Sequence, residues 1–158
     1  MGKVKLDRID RKILKELQDD GRITNVDLAE KVGISAPPCL RRVRALEENK
    51  LILGYHAHLD AASLGYGVTV FAQVGLGNQS ENDLNRFIEM VSGWPKVREC
   101  YMVAGEADFL LKIVAADWDD YQQFLTKHLT AAPNVSHVKS SLTVKLCKYD
   151  PGIPIKTE

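Results

Sequence analysis

The chain predicts an α+β protein of two modules, three short helices followed by a βαββαβ sandwich, and two observations carry that expectation. Between residues 6 and 50, apolar side chains recur at helical spacing with cap and glycine signals between the runs. From residue 67 onward the pattern changes to alternation, helical spacing and alternation, and then runs through that cycle a second time. The expected boundaries are 1–50 for the helical module, 51–66 for a connector that starts strand-like and ends in a glycine-rich turn, and 67–158 for the sheet module.

Asp7 is placed to cap the first helix, Ile9, Ile13, Leu14 and Leu17 form its stripe, and Gly21 ends it. Thr24 caps the second, with Asp27 three residues on in the position of a capping box. Leu28 and Val32 share one face there, and Ala29 is small enough to let a neighbouring helix approach. Gly33 follows where the chain must turn through the left-handed region, and Ile34 fills the corner. Ser35 is the expected cap of the third helix, and Pro37 and Pro38 fall in its first turn, where a missing N–H costs little. An advance of roughly 100° per residue turns Cys39, Val43 and Leu46 inward. The outward face is then centred on Arg41, near Pro37, Pro38 and Ala45, with Arg42 and Arg44 on the flanks.

Two helices about a glycine turn, the second studded with arginines, form the pattern of a DNA-reading helix-turn-helix. Arg41 is suited to fork onto a guanine edge, worth ~1–3 kcal/mol of discrimination, while Arg42 and Arg44 hold phosphates. Ser35, Pro37 and Pro38 complete the contact surface, and Lys3, Lys5 and Lys31 add positive charge nearby. A solvated basic face is the plainer reading of three arginines. Cap, turn glycine, corner residue and amphipathic partition together favour DNA. So small a core is marginal by itself and is expected to lean on a dimer.

In the second module, Val68 to Leu76 alternates as a strand, Ser80 caps a helix carrying Leu84, Phe87, Ile88 and Val91, and Val97 to Val103 returns as a strand. Phe109 to Ala115 is the next strand, and Asp117 caps a helix bearing Trp118, Tyr121, Phe124, Leu125 and His128. Val135 to Leu146 closes the module as a long alternating strand. Two successive βαβ units make a ferredoxin-like sandwich with both helices on one sheet face. The opposite face is expected to carry Phe71, Cys100, Met102, Leu110 and Val114 beside Gln73, Ser141 and Thr143. So much apolar surface marks an interface, here with the same face of a second copy. A symmetric dimer presents two reading helices, which predicts half-sites ~34 Å apart or a multiple of that.

The 158 residues carry 21 Lys/Arg against 21 Asp/Glu, so affinity for phosphate must come from the local arginine cluster. No apolar run approaches the ~20 residues of a membrane span, and MGKVKLDRIDRK lacks the apolar stretch of a secretory signal, which points to the cytoplasm. Cys39, Cys100 and Cys147 form an odd set without metal-type spacing, consistent with reduced thiols, and Cys39 reads as core. His56 and His58 alternate but have no visible third ligand, so no metal is expected.

The stretch LDRIDRKILKELQDDGRITNVDLAEKVGISAPPCLRRVRALEENKLILGY resembles the N-terminal module of the leucine-responsive regulatory protein (Lrp)/AsnC family, and CYMVAGEADFLLKI resembles that family's effector loop. The likeness covers nearly all of Leu6 to Leu146 and is nearest to the leucine-responsive branch. It implies a transcriptional regulator of amino-acid metabolism whose C-terminal domain binds a free amino acid, leucine or another, between dimers. It also implies a homodimer assembling to an octamer or similar. On matching positions the effector residues are Met102, Val103, Ala104, Gly105, Glu106, Ala107 and Asp108, with Trp118, Ser141, Leu142 and Thr143 as wall or assembly residues. Ala107 departs from the aromatic residue expected there in many members. From residue types alone the loop is either a plain turn or a pairing of backbone N–H groups with a carboxylate and of Glu106 or Asp108 with an ammonium.

Two rival readings keep the helix-turn-helix purely structural: a ferredoxin-like small-molecule-binding dimer or small enzyme, and an interaction protein. Against an enzyme, the chain has no Ser/His/Asp order, P-loop, HExxH or cofactor fingerprint, so no cofactor is expected.

Overall fold

The computed structural model describes residues 5–157 and divides the chain into two compact units, Met1–His58 with Lys148–Glu158, and Leu59–Cys147. The helical unit contains α1 (Arg8–Asp19), α2 (Asn25–Val32) and α3 (Ala36–Glu48). A full capping box starts α1, because the Asp7 carboxylate accepts from the Asp10 N–H at 2.8 Å and the Asp10 carboxylate accepts from the Asp7 N–H at 3.1 Å. Ile13, Leu28, Ala29, Val32, Cys39 and Leu46 make the buried core, with Ile9, Leu14, Leu17, Ile34 and Val43 packed around it. The expected stripes therefore converge on one centre.

The sequence boundaries put residues 148–158 with the sheet, yet this segment groups with the helices. The Gln18 side-chain amide shows how: it donates to the Ile153 carbonyl at 2.9 Å and accepts from the Ile153 N–H at 3.0 Å, satisfying both backbone groups. Residues 53–60 of the connector form no strand among the described residues. A strand exists only where a neighbour completes its ladder, and none of the described residues does so here.

In the sheet unit, β1 (Val68–Leu76), α4 (Glu81–Ser92), β2 (Val97–Met102), β3 (Phe109–Ala115), α5 (Trp118–Phe124), a π-helical turn (Leu125–Leu129) and β4 (Val135–Leu142) follow in order. The four antiparallel strands lie in the order β2-β3-β1-β4, the ferredoxin-like arrangement. Val70, Ala72, Val74, Phe109, Leu111 and Ile113 turn one face onto Phe87 and Val91 of α4 and onto Tyr121, Phe124 and Leu129.

Three local expectations are corrected. Ile88 is exposed, and Met90 packs on the core in its place. The π-helical turn widens the helix so that Leu129 is fully buried, while His128 stays outside and rests on Phe124 at a centroid distance of 5.1 Å. The Thr130 N–H donates to the Leu125 carbonyl at 2.9 Å, the five-residue step that causes the change of face. Finally, β4 stops at Leu142, not Leu146: the Thr143 N–H still donates to the Thr69 carbonyl at 2.9 Å, but β1 begins at Val68, so residues 145–146 have no β1 backbone opposite them.

Candidate functional site

The turn between α2 and α3 is built as a DNA-reading corner requires. Gly33 adopts φ 81° and ψ 38°, and its N–H and that of Ile34 both donate to the Ala29 carbonyl at 3.0 Å, closing α2 with a residue free of a Cβ penalty. At the other end of α2, the Asp27 N–H donates to Thr24 Oγ1 at 3.2 Å. The Thr24 hydroxyl in turn donates to the Asp27 carboxylate at 2.6 Å, so the reciprocal bond of a capping box goes to the hydroxyl rather than to the backbone. The Asn25 side chain donates to the Ala36 carbonyl at 2.9 Å and ties the starts of α2 and α3 together.

Ser35 stands at the cap position of α3 but makes no capping hydrogen bond. A cap oxygen accepts from the second or third helical N–H, and those positions are Pro37 and Pro38, which have none. Its exposed hydroxyl is therefore not used by the helix.

The three arginines separate. Arg42 turns back to α1, with Nη1 2.7 Å from both the Asp7 and the Asp10 carboxylate, instead of lying on the outer face. Hydrogen bonds to Asp10 and Asp7 raise its pKa. The Asp7 carboxyl is held below its ordinary value, first by the Asp10 backbone N–H and also by Arg42. Lys31 is paired with Glu16 at 3.0 Å. Arg41 and Arg44 are exposed and have no ion pair among the described residues. With Pro37, Leu40 and Glu48, spaced i, i+3, i+4, i+7 and i+11, they make one exposed stripe along α3. The outer face is thus turned away from Arg42 and towards Leu40, a residue the sequence reading passed over. Of the nearby lysines, Lys5 is exposed and Lys3 lies outside the described residues.

In the sheet unit, residues 103–108 join β2 to β3. The Val103 N–H donates to the Asp108 carbonyl at 2.9 Å, and the Asp108 N–H to the Val74 carbonyl at 3.0 Å. The Asp108 carboxylate accepts from the Leu76 N–H at 2.7 Å, where the β1–β4 register shifts between Gly75 and Leu76. One Asp108 oxygen is therefore already engaged, which leaves exposed Glu106 as the loop's free carboxylate. Gly105 has φ +154°. Val103, Ala104, Gly105, Glu106 and Ala107 line a concavity of about 310 Å³ with Gln73 and Leu110. The last two sit opposite each other across β1 and β3, and the sequence alone places them on the sheet face and not at the loop.

Met102 stands at the end of β2 outside that concavity. Trp118, Leu142 and Thr143 lie at the opposite end of the sheet from the loop, and Ser141 pairs with Phe71 between them. One chain does not bring these four to the loop.

The sheet face away from the helices carries Thr69, Phe71, Gln73, Leu110, Lys112, Val114 and Ser141, with Glu99 and Tyr101 from β2. Cys100 and Met102, expected here, pair with buried Leu111 and Phe109 and so belong to the helix side at the edge strand. A register shift between Val97 and Glu99 reverses the alternation. Lys112 pairs with Glu99 at 2.7 Å, and the Tyr101 hydroxyl donates to Glu99 at 2.7 Å, which keeps the Glu99 carboxyl below its ordinary range.

Among the described residues no cluster of three or more His, Cys, Asp or Glu is arranged to hold a metal, and no helix is long and apolar enough to cross a membrane. His58 stacks on Tyr149 at 4.2 Å.

Comparison with known proteins joins these two sites. Residues 6–52 match the winged helix-turn-helix DNA-binding family, and residues 69–153 match the Lrp/AsnC ligand binding domain. The Leucine-responsive regulatory protein of Rhizobium meliloti is 56% identical over 146 residues, covering 92% of this chain and 94% of the relative. The Bkd operon transcriptional regulator of Pseudomonas aeruginosa is 47% identical and covers 89% of this chain and 92% of the relative. A transcriptional regulator of Neisseria meningitidis, solved in complex with L-Met, superposes with a TM-score of 0.90 at 34% identity over 95% of this chain and 97% of that one. A reading helix on one unit, a loop concavity on the other and these likenesses along nearly the whole length place the chain in the Lrp/AsnC family of transcriptional regulators.

Proposed function

We propose that this chain is a sequence-specific DNA-binding regulator of amino-acid metabolism that answers to a free amino acid such as leucine and acts by binding, not by catalysis, in the cytoplasm. The observation that carries the reading is the division of labour on α3: Arg41 and Arg44 are uncommitted on its exposed stripe while Arg42 is spent on α1. Arg41 reads a base edge, Arg44 and Ser35 work against phosphates, and Lys31 joins them by exchanging its exposed pair with Glu16 for a phosphate, with Pro37 and Pro38 fixing the approach of the helix end.

The effector reading rests on the loop concavity together with the L-Met complex of the Neisseria regulator. Backbone N–H groups around Gly105 suit an α-carboxylate, and Glu106 suits an ammonium. Val103, Ala104 and Ala107 leave room for an aliphatic side chain. Asp108 shapes the loop through Leu76. Trp118, Ser141, Leu142 and Thr143 enter the site from another copy, since in one chain they lie away from it. Two copies pack through the open sheet face, and dimers assemble further, to an octamer or similar. An effector held between dimers shifts that assembly, provided it prefers one state.

Thermal-shift screening against the twenty amino acids tests the proposal, because a ligand at 100 times its Kd stabilises the folded state by about 2.7 kcal/mol. Leucine or another amino acid should raise the melting temperature, and Glu106→Gln should remove the shift while duplex binding persists. If no amino acid alters either melting or duplex affinity, the effector reading fails.

A further inference from the structure

Leu40 is 38% exposed on the stripe that carries Arg41 and Arg44, and it is not among the residues packed on the helical core. Pro37, one turn earlier, is exposed on the same side. The stripe on α3 thus runs from a small apolar patch, Pro37 and Leu40, to two long cations, Arg41 and Arg44, and ends at Glu48. The prolines sharpen this character: without N–H groups at Pro37 and Pro38, the start of the helix has few backbone donors to offer a base or a phosphate.

An apolar side chain one residue before Arg41 and one turn before Arg44, two guanidinium groups without an ion pair among the described residues, suits a surface that is anionic at its rims and apolar at one point of its floor. A major groove lined by phosphates offers one such point, the C5 methyl of thymine. An apolar protein surface would match Leu40 but leave Arg41 and Arg44 desolvated without partners. We propose that Leu40 reads a thymine methyl in the major groove, beside the base edge contacted by Arg41. This rests on the DNA-binding reading above and adds the chemical identity of a second recognised base.

The test uses the full chain and a duplex that it selects from a random pool. Each thymine of the selected site is replaced in turn by deoxyuridine, which removes the methyl and leaves every hydrogen-bonding edge unchanged. One position per half-site should weaken wild-type binding about fourfold, the effect of one buried methyl-sized group. In Leu40→Ala the affinities for thymine and deoxyuridine at that position should become equal, with the melting temperature unchanged. Binding that ignores deoxyuridine at every position overturns the proposal, as does a Leu40→Ala variant that still discriminates. A Leu40→Ala variant that changes the oligomeric state assigns the residue to a protein contact and also overturns it. Failure of the wild type to enrich any duplex sinks the DNA-binding reading itself.

Discussion

Arg41, Arg42 and Arg44 carry the same charge, but their surroundings give them different tasks. Removing Arg42 leaves the Asp7 and Asp10 carboxylates without a cation, so Arg42→Ala should lower the melting temperature and change the salt dependence of DNA binding little. Arg44→Ala should do the reverse: unchanged melting, weaker duplex binding and a salt slope reduced by about one. Titrating duplex affinity against salt beside a melt of each variant separates the two. Asp7 adds a pH test. Its pKa is depressed in the folded state, so its contribution is present above the unfolded value of about 3.9 and is lost as pH falls through the lower folded value. The melting gap between wild type and Asp7→Ala should be full above about pH 5 and narrow progressively as pH falls below about 4. The sequence places the three arginines on α3 but could not tell them apart, because the partners of Arg42 lie on another helix and enter through packing.

At the scale of elements, capping signals were the most legible part of the chain, since a cap is a contact between near neighbours. Asp7, Thr24, Ser80 and Asp117 all cap as expected. Ser35 occupies a cap position without a bond, and this separates two otherwise similar substitutions. Thr24→Ala should cost about 1 kcal/mol in urea unfolding, whereas Ser35→Ala should cost a few tenths at most. A loss at Ser35 equal to that at Thr24 would contradict the account of Pro37 and Pro38. Where a signal depends on long-range register, the sequence was weaker. The shift in β2 moved Cys100 and Met102 to the helix side, and the π-helical turn exchanged His128 for Leu129. Neither change of step leaves a local mark that alternation or helical spacing detects. Leu129→Ala should therefore cost about 2–5 kcal/mol and His128→Ala less than about 0.5. Equal costs would mean that the π turn does not set which residue is buried.

For the whole molecule, the ferredoxin-like order and the helical core were readable because each face follows from short-range periodicity, whereas the loop concavity was legible only in its 103–107 rim, since its other wall is Gln73 and Leu110 from the sheet. That concavity opens on the same sheet face that carries Phe71, Leu110 and Val114, with Gln73 and Leu110 common to both. A second copy covering the face would bury Phe71, 38% exposed in one chain, together with the Glu99–Lys112 pair. Phe71→Lys sets a lysine against its own symmetry mate and beside Lys112, so sedimentation should show monomers where the wild type gives dimers or larger. Each α3 stays intact in that variant, but the second grip on a duplex becomes a separate event, and affinity for a two-half-site fragment should fall by a factor of 10² or more while single-half-site binding stays unchanged. A Phe71→Lys protein that remains dimeric would place the interface elsewhere. Equal loss on one and two half-sites would show that the substitution reaches the reading helix by another route.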